Sequence, residues 1–246
     1  INYPEFELIR CKQIYGSWSG LILKIISKKK LIIRVGYSWS QSIKYETNQR
    51  SLKYLISRII ENFIIKNSDG LIVSSKYLKE KYNFINKNIV IVPNGIDIKI
   101  FKNKNEERIY DYIYIGRLIK IKGVDRLLDF IEGNTNKSFL IIGANPQNID
   151  INKYKNVTYK INLKNNKISE YLNRAKIILN LSRSEGSPKA LIEGIACGCF
   201  PIVSNIEAHQ NIIEDLNYGE IINYPNKSII KRGEYNRNFY KKFIKK

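Results

Sequence analysis

The stretch Ser182-Arg183-Ser184-Glu185-Gly186-Ser187-Pro188-Lys189-Ala190-Leu191-Ile192-Glu193-Gly194-Ile195-Ala196-Cys197-Gly198 decides how this chain is read. It follows Ile177 to Leu181, an apolar run of strand length, turns at Gly186 and enters a helix at Pro188. Proline suits the first turn of a helix, where the amide it lacks would have no partner. The amides of Lys189 and Ala190 are then left free, and with the positive end of the helix dipole they suit a diphosphate at the carboxyl edge of a parallel sheet. Glu185 lies in the loop and Glu193 in the second helical turn, so two carboxylates can face one cleft and accept hydrogen bonds from a polyhydroxylated ligand. A plainer alternative stays open, in which Glu185 caps the helix and Glu193 is a solvated surface acid.

Outward from this segment, strands and helices alternate, which predicts parallel sheets with helices on both faces. In the second half, strands are expected at Tyr112 to Ile115, Phe139 to Ile142, Val157 to Tyr159, Ile177 to Leu181, Pro201 to Ser204 and Glu220 to Ile222. Helices are expected near Val124 to Ile131, Ile168 to Ala175, Pro188 to Ala196 and Ala208 to Glu214, and the basic, aromatic tail from Lys227 to Lys246 has weak helical periodicity. In the first half, Phe6 to Arg10, Leu31 to Gly36, Leu71 to Ser74 and Ile89 to Val92 read as strands. A helix spans Asn48 to Lys66, with Leu52, Leu55, Ile56, Ile59, Ile60 and Phe63 as its apolar stripe. The turn at Pro93-Asn94-Gly95 and the polar Lys102 to Arg108 place a domain boundary between residues 103 and 104.

A second segment strengthens the ligand reading. In Tyr114-Ile115-Gly116-Arg117-Leu118-Ile119-Lys120-Ile121-Lys122-Gly123-Val124-Asp125 a strand ends at Gly116, and the loop then carries a guanidinium, Arg117, and an ammonium, Lys122, for phosphate oxygens. Both loops leave the same edge of the sheet, so they can converge on a departing diphosphate.

The 246 residues are 43% hydrophobic, enough for two modest domains. No apolar run reaches the roughly 18 to 20 residues of a membrane span, and the start lacks the sections of a signal peptide, so a cytoplasmic location is the expectation. Ile1 and the absence of methionine suggest that the natural start lies outside this chain. Cys11, Cys197 and Cys199 are odd in number, and the last two are too close for an ordinary bridge; all three are expected to be reduced. A net charge of +20 attracts nucleic acid, anionic lipid or diphosphates, although the mixing of Lys with Ile, Asn and Tyr also looks like the codon bias of an AT-rich genome. No helix-turn-helix, RNP strand, KH loop or zinc finger is present, so no nucleic acid partner is expected. No metal-ligand cluster is visible, and no cofactor or metal is expected.

These two segments, with Val92-Pro93-Asn94-Gly95-Ile96-Asp97 between the halves, resemble the signature of the family 4 (group 1) retaining glycosyltransferases of GT-B fold. The resemblance is specific over residues 89 to 215 and general before them. It implies two Rossmann-like domains: an acceptor-side domain over 1–103, incomplete because the family's glycine-rich loop at its first strand has no counterpart, and a nucleotide-sugar-binding domain over 104–246. The family's paired glutamates, seven residues apart, match Glu185 and Glu193. By resemblance Glu193 binds ribose hydroxyls and Glu185 those of the donor sugar, while Arg117 and Lys122, next to Gly116, hold the diphosphate. Gly186, Ser187, Pro188, Lys189 and Ala190 form the helix-mouth contacts, and the base lies near Ile161, Asn162 and Leu163, where the family's usual glycine is missing.

The implied activity is retaining, metal-independent transfer of a hexose from a nucleotide-diphosphate sugar to a saccharide or lipid-linked acceptor, in cell-surface polysaccharide or glycoconjugate synthesis. The loop Arg34-Val35-Gly36-Tyr37-Ser38-Trp39 lacks the histidine that many members place there, and the only histidine, His209, is a candidate either for ligand contact or for a structural role. The basic surface, Tyr15, Trp18, Trp39 and the tail from Tyr235 make an anionic membrane surface a candidate partner, with peripheral placement at its inner face. The rival readings are a silent nucleotide-sugar-binding relative and a basic nucleic-acid-binding protein.

Overall fold

The computed structural model describes residues 5–47, 51–161, 163–224 and 229–232. The chain forms two compact units, Ile1–Asn94 and Gly95–Lys246. The division precedes the one expected between 103 and 104, because Phe101 is buried in the second unit's core with Ile96 and Ile100 packed beside it. The polar run after Phe101 is therefore a loop within that unit.

The first unit runs β1 (Leu8–Lys12), α1 (Trp18–Ser27), β2 (Lys30–Val35), α2 (Trp39–Glu46), α3 (Leu52–Lys66), β3 (Gly70–Val73), α4 (Lys76–Tyr82) and β4 (Ile89–Ile91). Its four strands are parallel and lie in the order β1-β2-β3-β4. Strand order never reverses, so right-handed crossovers bring the connecting helices to one face. The core accordingly lies between one face of the sheet (Ile9, Leu31, Ile33, Val35, Leu71, Val73, Ile89) and Leu21 of α1, Ile64 and Ile65 of α3, and Leu78 and Tyr82 of α4. Helices on both faces, expected for this half, are not found among the described residues.

Helix α3 turns its expected apolar stripe outward. Leu52, Leu55, Ile56, Ile59, Ile60 and Phe63 are 39–70% exposed, whereas Ser57, Glu61, Ile64 and Ile65 are buried. The orientation is held by Glu61, whose carboxylate accepts from the Ser40 amide at 2.6 Å, Ser38 Oγ at 3.0 Å and the Tyr82 hydroxyl at 2.7 Å. A buried carboxylate so satisfied resists rotation, because turning the helix would strand the charge and three donors. Ser51 caps the helix, its Oγ accepting from the Tyr54 amide; the expected first residues, 48–50, lie outside the described residues.

The second unit runs β5 (Tyr110–Ile115), a 3-10 turn (Lys120–Lys122), α5 (Val124–Glu132), β6 (Phe139–Ile142), β7 (Val157–Lys160), α6 (Asn165–Asn173), β8 (Ala175–Asn180), α7 (Lys189–Ala196), β9 (Phe200–Ser204), α8 (Glu207–Leu216), β10 (Gly219–Ile222) and β11 (Ile229–Arg232). Strand order is β11-β10-β9-β8-β5-β6-β7, with only β11 antiparallel. Ala175, expected at a helix end, starts β8 opposite Tyr110, and part of the tail read as weakly helical is β11. The rest of the tail, including Tyr235 to Lys246, lies outside the described residues. Because the chain builds outward from β5 in one direction and from β8 in the other, helices cover both faces: α5 packs on one core and α6, α7 and α8 on the other. The strand order reverses between β5 and β8, so the connections after those two strands lead to helices on opposite faces and leave a crevice at the carboxyl edge of the sheet.

Candidate functional site

The loops after β5 and β8 are the two segments singled out in the sequence, and specific contacts bind them together. Gly123 adopts φ +74°, and a Cβ there would lie 2.0 Å from the Leu181 carbonyl oxygen, so only glycine allows this approach. The Arg183 amide donates to the Ile121 carbonyl at 2.8 Å, and its guanidinium donates to the Lys120 carbonyl at 2.7 Å and to both oxygens of Asp125 at 2.6 and 2.5 Å. The buried Tyr114 hydroxyl lies 3.1 and 3.2 Å from the carbonyls of Arg117 and Lys122 and so holds the other side of the turn.

This frame sets Lys122 directly on Glu185. The ammonium donates to both carboxylate oxygens, at 2.7 and 2.9 Å, and Ser182 Oγ donates to Oε1 at 2.7 Å. Oε1 thus accepts two bonds and Oε2 one among the described residues, which leaves an acceptor site on Oε2. Glu185 is only 10% exposed at its side chain, yet it lines the cleft.

Opposite stands the mouth of α7. Pro188 is its capping residue rather than its first helical one, and its carbonyl accepts from the amides of Leu191 and Ile192. The amides of Lys189 and Ala190 find no acceptor among the described residues. Gly194 lets the helix lie close to β8, since a Cβ there would come within 2.5 Å of Ile178. Glu193 is buried in the next turn. Loss of solvent pushes its carboxyl above the usual range, and the Lys189 ammonium 3.3 Å away opposes that rise.

The resulting cleft has a volume of about 370 Å³. Of the expected site residues, Gly116, Lys122, Glu185, Ser187, Pro188, Lys189, Ala190 and Glu193 line it together. Gly186 is buried outside the lining, and the Arg117 side chain is exposed outside it. The expected base region does not line it either: Ile161 is 49% exposed, Leu163 packs on the core and Asn162 lies outside the described residues. Three polar residues that the motif reading passed over do line it. Asn165 begins α6, and Asn180 and Ser182 flank the end of β8. A polar side chain at the carboxyl end of a buried apolar strand was the available signal.

His209 does not line the cleft. It is fully buried, with Nδ1 2.9 Å from the Ser204 carbonyl. A carbonyl only accepts, so Nδ1 carries the proton and Nε2 is the bare nitrogen, which finds no partner among the described residues. A second proton would be buried without an acceptor, and burial accordingly lowers the imidazole pKa to about 4. Cys197 and Cys199 are free and buried, and burial raises their thiols to about 12 and about 11. No cluster of three His, Cys, Asp or Glu side chains with metal-binding geometry occurs among the described residues.

Fold and cleft together define an α/β protein whose strand-order reversal holds a cleft lined by an ammonium, two carboxylates and the open amides of a helix mouth. The chain belongs to the glycosyl transferases group 1 family, whose sequence profile matches residues 95–233. It is 25% identical over 212 residues to the uncharacterized glycosyltransferase MJ1178 of Methanocaldococcus jannaschii, covering 76% of this chain and 58% of that protein. It is 24% identical over 247 residues to an uncharacterized 41.2 kDa protein in the cps region of Klebsiella pneumoniae, covering 91% of this chain and 67% of the relative. Among solved structures it resembles sucrose-phosphate synthase of Thermosynechococcus elongatus, with a TM-score of 0.72 and 19% identity over 98% of this chain and 65% of the other. It also resembles Anabaena HepE in complex with UDP and glucose, with a TM-score of 0.68 and 14% identity over 97% and 68%. The fold is of GT-B type, and the chain spans less than two thirds of the length of MJ1178 and of the synthase.

Proposed function

We propose that this chain acts in a retaining glycosyltransferase that moves a hexose from a nucleotide-diphosphate sugar to a saccharide or lipid-linked saccharide. The observation that carries the proposal is the Lys122–Glu185 pair facing the open amides of α7 across one cleft. In this reading the amides of Lys189 and Ala190, with the helix dipole and Lys122, hold the diphosphate. Glu193 accepts from ribose hydroxyls, and Oε2 of Glu185 accepts from a hydroxyl of the transferred sugar. Arg117 turns in from the surface as a second cation. The bond from the anomeric carbon to the phosphate oxygen breaks, and its electron pair leaves on the diphosphate. The acceptor oxygen bonds that carbon on the same face, and its proton leaves with the diphosphate.

A volume of about 370 Å³ lies within the range of about 300–1,000 Å³ common for small-molecule sites. The complex of HepE with UDP and glucose and the cps-region setting of the Klebsiella relative support a nucleotide sugar donor and polysaccharide synthesis. Thermal denaturation against a panel of nucleoside diphosphates and their sugars tests the reading. One base should raise the midpoint, since a ligand at 100 times its Kd stabilises by about 2.7 kcal/mol. No shift with any member at millimolar concentration overturns it, and binding without hydrolysis or transfer favours the silent relative.

We further propose peripheral docking on an anionic membrane at its cytoplasmic face. No helix among the described residues is long and apolar enough to cross a bilayer. The specific support is α3, whose outward face carries Leu52, Leu55, Ile56, Ile59, Ile60 and Phe63 beside Lys53 and Arg58. An apolar face edged by cations lies in the interface of a negatively charged bilayer.

A further inference from the structure

The first unit contains a cleft of its own, about 360 Å³ in volume, bounded by α2, α3 and α4. Its floor is Glu61, 1% exposed. That carboxylate is already spoken for: it accepts from Ser38, the Ser40 amide and Tyr82, and the Lys81 ammonium lies 3.2 Å away. Two more cations line the same space, Lys44 from α2 and Arg58 from α3, and neither forms an ion pair among the described residues. Three cations therefore face one carboxylate, and the cleft carries an excess of positive charge.

The charges press on one another. Burial lowers the pKa of the Lys81 ammonium; Glu61 opposes the fall, and the charges of Arg58 and Lys44 add to it. Positive charge gathered in a partly dry cleft is relieved by an entering anion, and a guanidinium beside an ammonium is a recurrent grip for phosphate and carboxylate oxygens. The lining also includes the neutral amides of Gln41 and Asn62, which suit hydroxyls.

We propose that this cleft binds a sugar bearing an oxyanion, a sugar phosphate or a uronate, with the anion held between Arg58 and Lys44 and ring hydroxyls at Gln41 and Asn62. The site shares no lining residue with the Lys122 cleft and does not depend on the donor reading of it.

Calorimetric titration of the whole chain in chloride buffer of constant ionic strength tests this, with glucose 6-phosphate, glucuronate, inorganic phosphate and glucose as probes. A charged sugar should saturate at least tenfold more tightly than glucose or inorganic phosphate. The double variant K44Q/R58Q should lose at least tenfold in that affinity, while K122A should keep it. Among the described residues neither the Lys44 nor the Arg58 side chain makes a hydrogen bond or ion pair, and an unchanged melting midpoint will show that the double variant is folded. Equal binding of inorganic phosphate and glucose 6-phosphate overturns the saccharide assignment. No saturable binding by either charged sugar, binding undiminished in K44Q/R58Q, or binding lost in K122A overturns the site.

Discussion

The Lys122 ammonium sits across both carboxylate oxygens of Glu185, at 2.7 and 2.9 Å, although 63 residues separate them in the chain. Two groups that a separate-roles reading would assign, one to phosphate and one to sugar, are thus a single charge-neutral unit before any ligand arrives. A diphosphate entering the cleft has to share the ammonium with Glu185 or take it away.

That sharing predicts unlike effects of the two substitutions. Lys122→Ala should weaken nucleoside diphosphate binding by about 10- to 100-fold, the equivalent of a charge-assisted bond worth about 1.5–3 kcal/mol, and should weaken nucleoside binding far less. Glu185→Gln removes the competing carboxylate, so diphosphate binding should hold or tighten while sugar transfer falls by about 100-fold or more. Calorimetry and a transfer assay on the two variants check this; diphosphate affinity unchanged in Lys122→Ala rules the ammonium out as a phosphate ligand.

His209 predicts an acid-sensitive fold. Its folded pKa is about 4 against the ordinary 6.5, so the unfolded chain takes up the proton first. Stability owed to the neutral ring is complete above pH 6.5, declines as pH falls from 6.5 to about 4, and changes no further below that. The slope is about 1.4 kcal/mol per pH unit, or roughly 3 kcal/mol across the window. Urea unfolding at pH 7 and pH 4.5 should show His209→Gln losing about 2 kcal/mol less than the parent over that interval; equal losses would place the acid sensitivity on other groups.

The outward stripe of α3 predicts binding to anionic vesicles at moderate salt. Ile59→Glu with Phe63→Glu should cut sedimentation with such vesicles at least tenfold, each buried apolar side chain contributing about 2 kcal/mol. The fold should hold, because both residues point away from the core. A parent that stays in the supernatant at all salt concentrations, or a variant that binds like it, would remove the docking proposal.

Much of the Lys122 cleft was legible in the chain because its signals are local. A strand run, a glycine turn and a proline-capped helix follow one another between Ile177 and Ala196, and they brought Glu185, Lys189, Ala190 and Glu193 to one edge as expected. Asn180 and Ser182 carry a weak signal, polar side chains at the end of an apolar strand, whereas Asn165 carries none, since an Asn looks alike in loops that line a cleft and loops that do not. The orientation of α3 misled for a related reason: its apolar periodicity is strong, but the periodicity does not say which face is inside. Glu61 settles that through Ser40 and Tyr82, both distant in sequence.

By itself the sequence determined the alternation of elements, the two loops that line the cleft and the helix mouth, because turn chemistry and hydrophobic period act over a few residues. Only the tertiary structure decided that Lys122 and Glu185 form one pair, that His209 is sealed away from the cleft, that Arg117 faces solvent and that the first unit carries a cationic cleft of its own. Those facts depend on which strands become neighbours and how closely glycines such as Gly123 let their loops approach, and such distances are set by packing rather than by any local run of residues.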